Sequence, residues 1–407
     1  MVNQTNFKPL SVQLGSVDEK NAEQFVIGRD HIVESFWKSV QSASIRVLAE
    51  RRMGKTWVLK LALARKPQWV VAHLFDVQQY DNAAEFVLAF NKELHKGNLI
   101  SDKWFNKVQD WFRRFYQKLQ GLKVGPIPIP ELDSWVTLLK DTFNHMTSHN
   151  GNFQVAIIFD ELPFFLDKLI KANHANEAIQ LLDTFRALRH ENTSLRLVFC
   201  GSLGLHIVLE KLHDIKYTGQ PINDMPPFEV PPLSPDDAQY LSGCLLIGEN
   251  IKCTDINAVA QAIAEGSCGV PFYIQHFIRW MAGRKEEIWS PEKALAIPEE
   301  LFNAPGDPVE FSYYSSRLED YYTEDIVEKA RAVLDVLSRK AEGLPFNDII
   351  NLIRHRPSTL TVSPEQILKV IQILRDDHYM EGTGDNWRFK LDIVRQWWFE
   401  TRGRLAL

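Results

Sequence analysis

The chain is predicted to be an α/β protein in which a parallel sheet carries helices on both faces, and two observations predict it. Short runs rich in Val, Ile and Phe alternate with longer stretches of helical periodicity, the order expected of strand-helix-strand units. Four of these runs, Ile45 to Ala49, Trp69 to Val77, Val155 to Phe159 and Leu195 to Cys200, are apolar almost throughout, as strands covered on both faces should be. A shorter fifth run lies at Phe228 to Val230.

Composition frames the rest. A chain of 407 residues with 45% hydrophobic and 24% charged content is long enough for two or three domains with cores of their own. Its net charge of -6 gives no global basic field, which excludes indiscriminate coating of DNA. The start, "MVNQTNFKPLSVQLG", lacks the basic opening and apolar core of a secretion signal. No membrane-spanning stretch of about 18 apolar residues follows, so a cytoplasmic protein is expected. Cys200, Cys244, Cys253 and Cys268 are widely spaced, with no C-x-x-C pair, and read as free thiols.

Taken in order, residues 1–24 form an N-terminal arm and 25–232 the sheet domain, with a helical insertion at about 82–147. In that insertion Trp104, Val108, Trp111, Phe112, Phe115 and Leu119 recur at spacings of three and four, the stripe of a helix that covers its own domain. "VGPIPIPELDSW" breaks the helix with three prolines before another begins near Leu132. A helical lid is expected over 233–285, opened by Ser234 as cap and Pro235 at the first position, with Asp236 and Asp237 facing the helix dipole. Residues 286–322, with "NAPGDP" and sparse periodicity, read as a connector. In 323–407, helices at Ile326 to Leu337, Phe346 to Ile353 and Ile367 to Leu374 precede a hairpin of Tyr379-Met380 and Trp387-Arg388-Phe389 around "GTGDN". The third helix opens with a Ser363-Gln366 capping box, and three helices with a wing predict a winged-helix domain.

The chemistry lies at strand ends. In "LAERRMGKTWVL" a strand runs into Gly54-Lys55-Thr56 and then a helix, the end of a phosphate-binding loop of pattern G-x-x-x-x-G-K-T/S. Exposed N–H groups at the helix start cradle an anion, Lys55 reaches the outer phosphates, and the Thr56 hydroxyl suits magnesium. The first glycine of the pattern is replaced by Ala49. That glycine serves the turn out of the strand, so its loss is expected to strain the loop and slow hydrolysis without removing a phosphate ligand. In "VAIIFDELPFF" the strand-end Asp160 is placed beside the magnesium shell and Glu161 as general base. In "LRLVFCGSLG" Ser202 is the candidate to sense the terminal phosphate or position water; as a turn residue it would look the same.

The series "FVIGRD", "ERRMGKT", "IIFDELPFF", "RLVFCGSLG", "INDMPPFEVPPLSPDDA" and "EGSCGVPFYIQ", in this order, resembles the archaeal-type ATPase family. That family belongs to the STAND branch of AAA+-related ATPases, near the origin-recognition ATPases. The likeness covers Phe25 to Arg284, and the C-terminal winged helix is similar to the one these proteins usually carry. It implies a P-loop NTPase that takes ATP and Mg2+. It also implies a nucleotide surround of Gly28, Arg29 and Pro271, with Glu50, Arg51, Arg52, Met53, Gly54, Lys55, Thr56 and Trp57 along the loop. Arginine fingers of related assemblies correspond to Arg186 or Arg189, which matter if the chain forms a homo-oligomer.

The expected function is an ATPase switch that acts on a protein partner or effector, with bacterial signalling or antiviral defence as its context. The alternative is a DNA-binding loader or transposition regulator. Residues 323–407 carry 13 Lys and Arg against 13 Asp and Glu, and the helix "PEQILKVIQILRDD" ends in two acids, so DNA is less favoured there than protein docking. Arg388 and Lys390 in the wing are the residues that argue for DNA. A third reading is a nucleotide-binding scaffold without turnover.

Overall fold

The computed structural model describes residues 7–15, 17–121, 133–284, 287–355, 362–383 and 385–403, with side chains in all of these but 112–121, 133–134 and 383. The first half runs α1 (Glu19–Phe25), α2 (Asp30–Ser42), β1 (Ile45–Leu48), α3 (Lys55–Ala64), β2 (Val70–Asp76), α4 (Ala83–Lys96), α5 (Asp102–Gly121) and α6 (Asp133–His149). It continues through β3 (Gln154–Asp160), α7 (Leu162–Lys171), α8 (Ala175–Glu191), β4 (Leu195–Cys200), α9 (Leu205–Asp214) and β5 (Pro227–Glu229). The five strands form one parallel sheet in the order β2-β3-β4-β1-β5.

The apolar runs became strands for the reason the sequence suggests. Along β3, Val155, Ile157 and Phe159 face one layer of helices while Ala156 and Ile158 face the other, and all five are fully buried. The first layer is aromatic: Phe86 packs on Phe159 and Phe165 with ring centroids 5.9 and 5.5 Å apart. The second holds α2 and α3, with Phe36, Trp37, Val58 and Leu61 buried on the sheet. Because β4 lies between β1 and β3, the tips of three strands stand side by side at one edge.

In α5, Val108 is buried, and Trp104 donates to Asn91 Oδ1 at 3.3 Å while stacking on His145, so this face packs within its own domain. Phe112, Phe115 and Leu119 and the proline-rich break at 124–132 lie outside the described side chains or residues.

Three helices follow the sheet: α10 (Pro235–Gly248), α11 (Ile256–Gly266) and α12 (Pro271–Ala282). Ser234 caps α10, its hydroxyl accepting from Asp237 N at 3.1 Å, with Pro235 in the first turn as expected. Residues 10–13 are strung along this unit, with Leu10 N donating to Cys244 O and Gln13 N to Gln275 Oε1.

The segment read as a connector contains two helices, α13 (Pro291–Phe302) and α14 (Tyr313–Tyr321). Buried Ala294, Ile297 and Leu301 in α13 are spaced three and four apart, a helical signal that Pro298 in its midst obscures. In α14 the buried residues are Tyr314, Arg317 and Leu318, a face too polar to register as a stripe.

The chain ends in α15 (Glu324–Leu337), β6 (Leu344–Pro345), α16 (Phe346–Arg354), α17 (Pro364–Asp376), β7 (Met380–Thr383), β8 (Asn386–Phe389) and α18 (Asp392–Trp398). The capping box closes as read: Ser363 Oγ accepts from Gln366 N and Gln366 Oε1 from Ser363 N. The hairpin β7-β8 pairs Met380 with Phe389, and β6, too short to be read from sequence, adds a third antiparallel strand. No helix among the described residues is long and apolar enough to cross a membrane.

Candidate functional site

The tips of β1, β3 and β4 open on a cavity of about 450 Å³ bounded by α3, the helices α10 and α12, residues 13–15 and α14. One wall is Arg51, Arg52, Met53, Gly54, Lys55, Thr56 and Trp57, and Pro271 at the start of α12 lines the cavity as well. Gly54 precedes α3 with a φ of 80°, a left-handed conformation that suits glycine and turns the helix N-terminus toward the cavity. Lys55 is buried, and its Nζ donates to Ala49 O at 3.0 Å and Glu50 O at 3.4 Å.

Thr56 Oγ1 donates to Asp160 Oδ2 at 2.9 Å, across from one strand tip to another. Two hard oxygens joined in this way fit a magnesium ion, which prefers carboxylate, hydroxyl and water ligands. Next to them, Glu161 immediately precedes α7 with a φ of 58°. Its Oε2 accepts from both Ser202 N and Ser202 Oγ at 2.9 Å. Burial raises the Glu161 pKa; Lys55 and the Ser202 hydrogen bonds lower it only in part, so the net direction is up. A carboxylate raised in this way and held by two donors is a suitable proton acceptor at neutral pH. Ser202 therefore touches the acid first, and with Glu161 it lines the cavity.

Several predicted residues sit elsewhere than expected. Arg29 lines the cavity but is committed to structure: it donates to Pro231 O at 2.7 Å, Pro232 O at 3.4 Å and Met53 O at 3.1 Å, tying the loop to the start of the lid. Gly28 is not among the lining residues; with a φ of 68°, it is where the chain passes so close to α10 that a Cβ would lie 2.5 Å from Asp237. Glu50 is a correction as well, since its side chain leaves the cavity and accepts from Tyr314 OH of α14. Arg189 is pinned within its own chain by Asp224, at 2.7 and 3.2 Å, and by Pro221 O, with its side chain only 3% exposed, so it does not present a finger.

The largest correction concerns Ala49. Positive φ falls at Arg52, 77°, and at Gly54, but not at Ala49. The turn out of β1 therefore does not need glycine at position 49, and of the loop's two left-handed residues the first is an arginine held by Tyr273 and Glu310. Ala49 is itself buried in the core. Substituting glycine there is expected to cost about 1 kcal/mol of stability through chain entropy and the lost methyl. Turnover of the Ala49→Gly protein should match the original in a phosphate-release assay.

Sequence reasoning missed half of the cavity wall. Gln13, Leu14 and Gly15 of the arm, Gln78 after β2, Phe272 and Gln275 of α12, and Tyr313 and Tyr321 of α14 all line it. Their only common property is long-range packing, so no local pattern marks them.

Glu50 is wholly buried, and its Oε2 has no hydrogen-bond partner among the described residues. Burial pushes its pKa up from 4.5 to about 7, opposed in part by Tyr314, Lys390, Arg317 and Arg52. The folded carboxyl thus holds its proton where the unfolded one has lost it. Its contribution to stability is full below pH 4.5 and falls as pH rises to about 7. That fall is on the order of 2–3 kcal/mol. Glu50→Gln, which keeps an acceptor for Tyr314, should flatten this part of the pH profile in denaturant titrations.

The strand order, the loop at the tip of β1 and the acidic pair at the tip of β3 define the class: this is a P-loop NTPase fold. It is similar to the Walker-type ATPase PABY2304 of Pyrococcus abyssi, with a TM-score of 0.62 at 13% identity, covering 95% of this chain and 99% of that one. Looser likenesses are the ORC2 protein of Aeropyrum pernix, TM-score 0.45 at 11% identity over 99% and 98% of the two chains, and the RuvB Holliday junction branch migration motor of Thermotoga maritima, 0.38 at 9% over 89% and 92%. No family model and no curated protein matches the chain.

Proposed function

We propose that the protein is an ATP-hydrolysing switch of the STAND or AAA+-related kind. The observation that carries this reading is that Lys55, Thr56, Glu161 and Ser202 line one cavity, with Asp160 hydrogen-bonded to Thr56 at 2.9 Å and Glu161 to Ser202. In it, ATP lies between the sheet unit 25–232 and the lid 233–285, with its phosphates at the start of α3. Thr56 and Asp160 hold Mg2+, which supplies charge neutralisation on the phosphate oxygens. Glu161 takes the proton of the attacking water, and Ser202 fixes the carboxylate in the orientation for that transfer. Phe25, Ile27, Pro271 and Phe272 provide the apolar surface for the base.

The output runs through α14 to residues 323–407, read as a winged helix that engages a protein partner in signalling or defence. Of the two basic wing residues, Arg388 is paired with Glu381 at 2.6 Å and Lys390 faces His378 at 3.2 Å, which favours protein over DNA as the partner. Binding of a fluorescent ATP analogue tests the reading: Lys55→Ala should weaken it at least ~10-fold, the loss expected when a phosphate-binding cation is removed. Equal binding by both proteins would overturn it.

A further inference from the structure

Three successive loop residues, Glu50, Arg51 and Arg52, are each gripped by the segment 310–314. Tyr314 OH donates to Glu50, and Arg52 donates to Glu310 O and, at 3.1 Å, to Glu310 Oε2. Both Arg52 and Glu310 have positive φ, 77° and 52°, so this contact holds two residues in a backbone conformation that L side chains disfavour. The Asp307 carboxylate fixes the segment by accepting from Phe311 N and Ser312 N at 2.8 Å each.

The cations on the cavity wall are Arg29, Arg51, Arg52 and Lys55, and the lid supplies none, presenting Leu233, Leu241, Pro271, Phe272 and Gln275 instead. Arg29 and Arg52 are spent on the fixed contacts above. Arg51 is held differently: its side chain is 44% exposed, its guanidinium lies 4.2 Å over the Tyr313 ring, and its Nη2 is 3.8 Å from Glu310 Oε2. An exposed pair at that distance is weak, whereas a guanidinium and a phosphate form a strong two-pronged contact.

We propose that Arg51 distinguishes nucleoside triphosphate from diphosphate, leaving Glu310 and Tyr313 for the terminal phosphate. This inference rests on the nucleotide-binding reading above. Glu310 acts as the competing anion, so the terminal phosphate and the strap 310–313 exclude one another at Arg51. A triphosphate thereby loosens the link between the loop and α14.

Equilibrium binding of ADP and of a non-hydrolysable ATP analogue to the full chain, with Mg2+, tests this. Arg51→Ala should weaken the triphosphate by ~10–100-fold and ADP by less than ~3-fold, with Arg51→Lys between, because charge is kept but the fork is lost. Glu310→Gln, which removes the competing charge from Arg51 and also weakens the 3.1 Å contact to Arg52, should tighten the triphosphate by roughly 2–5-fold. That gain should vanish in the Arg51→Ala background. Equal losses for both nucleotides in Arg51→Ala, or a Glu310→Gln gain that persists without Arg51, would refute the role of Arg51 and leave the nucleotide site standing. Failure of the original protein to bind either nucleotide would remove both.

Discussion

Replacing Glu161 with glutamine is expected to lower ATP turnover by ~10²–10⁴-fold, the range for losing a general base, while ATP binding stays within a few-fold. The substitution keeps the size of the side chain and an oxygen that can accept from Ser202 N and Oγ, so the geometry at the tip of β3 is preserved. What it removes is the proton acceptor. A steady-state phosphate-release assay, read beside nucleotide affinity, separates the two. Turnover equal to that of the original protein would dismiss Glu161 as base, and no turnover in the original protein would leave a nucleotide-binding scaffold as the better reading.

The second large effect is on stability. Arg317 of α14 and Asp377, just past α17, are both buried, with Arg317 Nη2 donating to Asp377 Oδ1 at 3.0 Å. Tyr322 OH donates to the other oxygen, and His206 Nε2 of α9 lies 3.3 Å from the first. Three parts of the chain thus meet at one carboxylate. Burial works to raise the Asp377 pKa, but Arg317, His206 and Tyr322 more than reverse this and leave it below the ordinary value of 3.8. The ionised form therefore stabilises the fold above pH 3.8, and the gain is lost as pH falls through the depressed value. Arg317→Ala strands a buried carboxylate and is expected to cost ~3–5 kcal/mol, measured as a shift in denaturant midpoint. Arg317→Met with Asp377→Leu, which removes both charges, should recover much of that loss.

The same junction bears on function. Tyr379, two residues after Asp377, donates from its hydroxyl to Tyr314 O at 2.8 Å, and Tyr314 in turn reaches Glu50 of the phosphate loop. A path of hydrogen bonds thus runs from the loop through α14 to the C-terminal elements, and because Arg317 anchors the same helix to Asp377, Arg317→Ala is expected to weaken that path as well as destabilise the fold. Comparing its nucleotide affinity with that of the double substitution separates the two effects.

Strand positions were legible because burial on both faces leaves an unbroken apolar run, and β1, β3 and β4 begin and end within a residue of the runs read from sequence. Lys55 and Thr56 were legible as the end of a loop pattern that follows a strand, and Asp160, Glu161 and Ser202 because each stands at or just past a strand tip, where a polar residue after an apolar run is conspicuous. The α14 residues were not, since Tyr313, Tyr314, Arg317 and Tyr321 carry no periodic apolar stripe and gain their meaning from partners far along the chain, 264 residues away for Tyr314 and 60 for Arg317. Ala49 was misread because a motif names a residue type, whereas strain depends on φ, and the loop places its left-handed residues at Arg52 and Gly54.

The sequence alone thus determined the parallel sheet, the phosphate loop, the acidic strand tip and the caps of α10 and α17, all consequences of interactions within a few residues. The tertiary structure decided that Glu50 faces a tyrosine and that Arg29 is a brace. It also decided that the arm and α14 complete the cavity and that Arg51 rests against Glu310 and Tyr313. Those outcomes depend on which distant surfaces pack together, and packing is settled by the whole core, which no local pattern records.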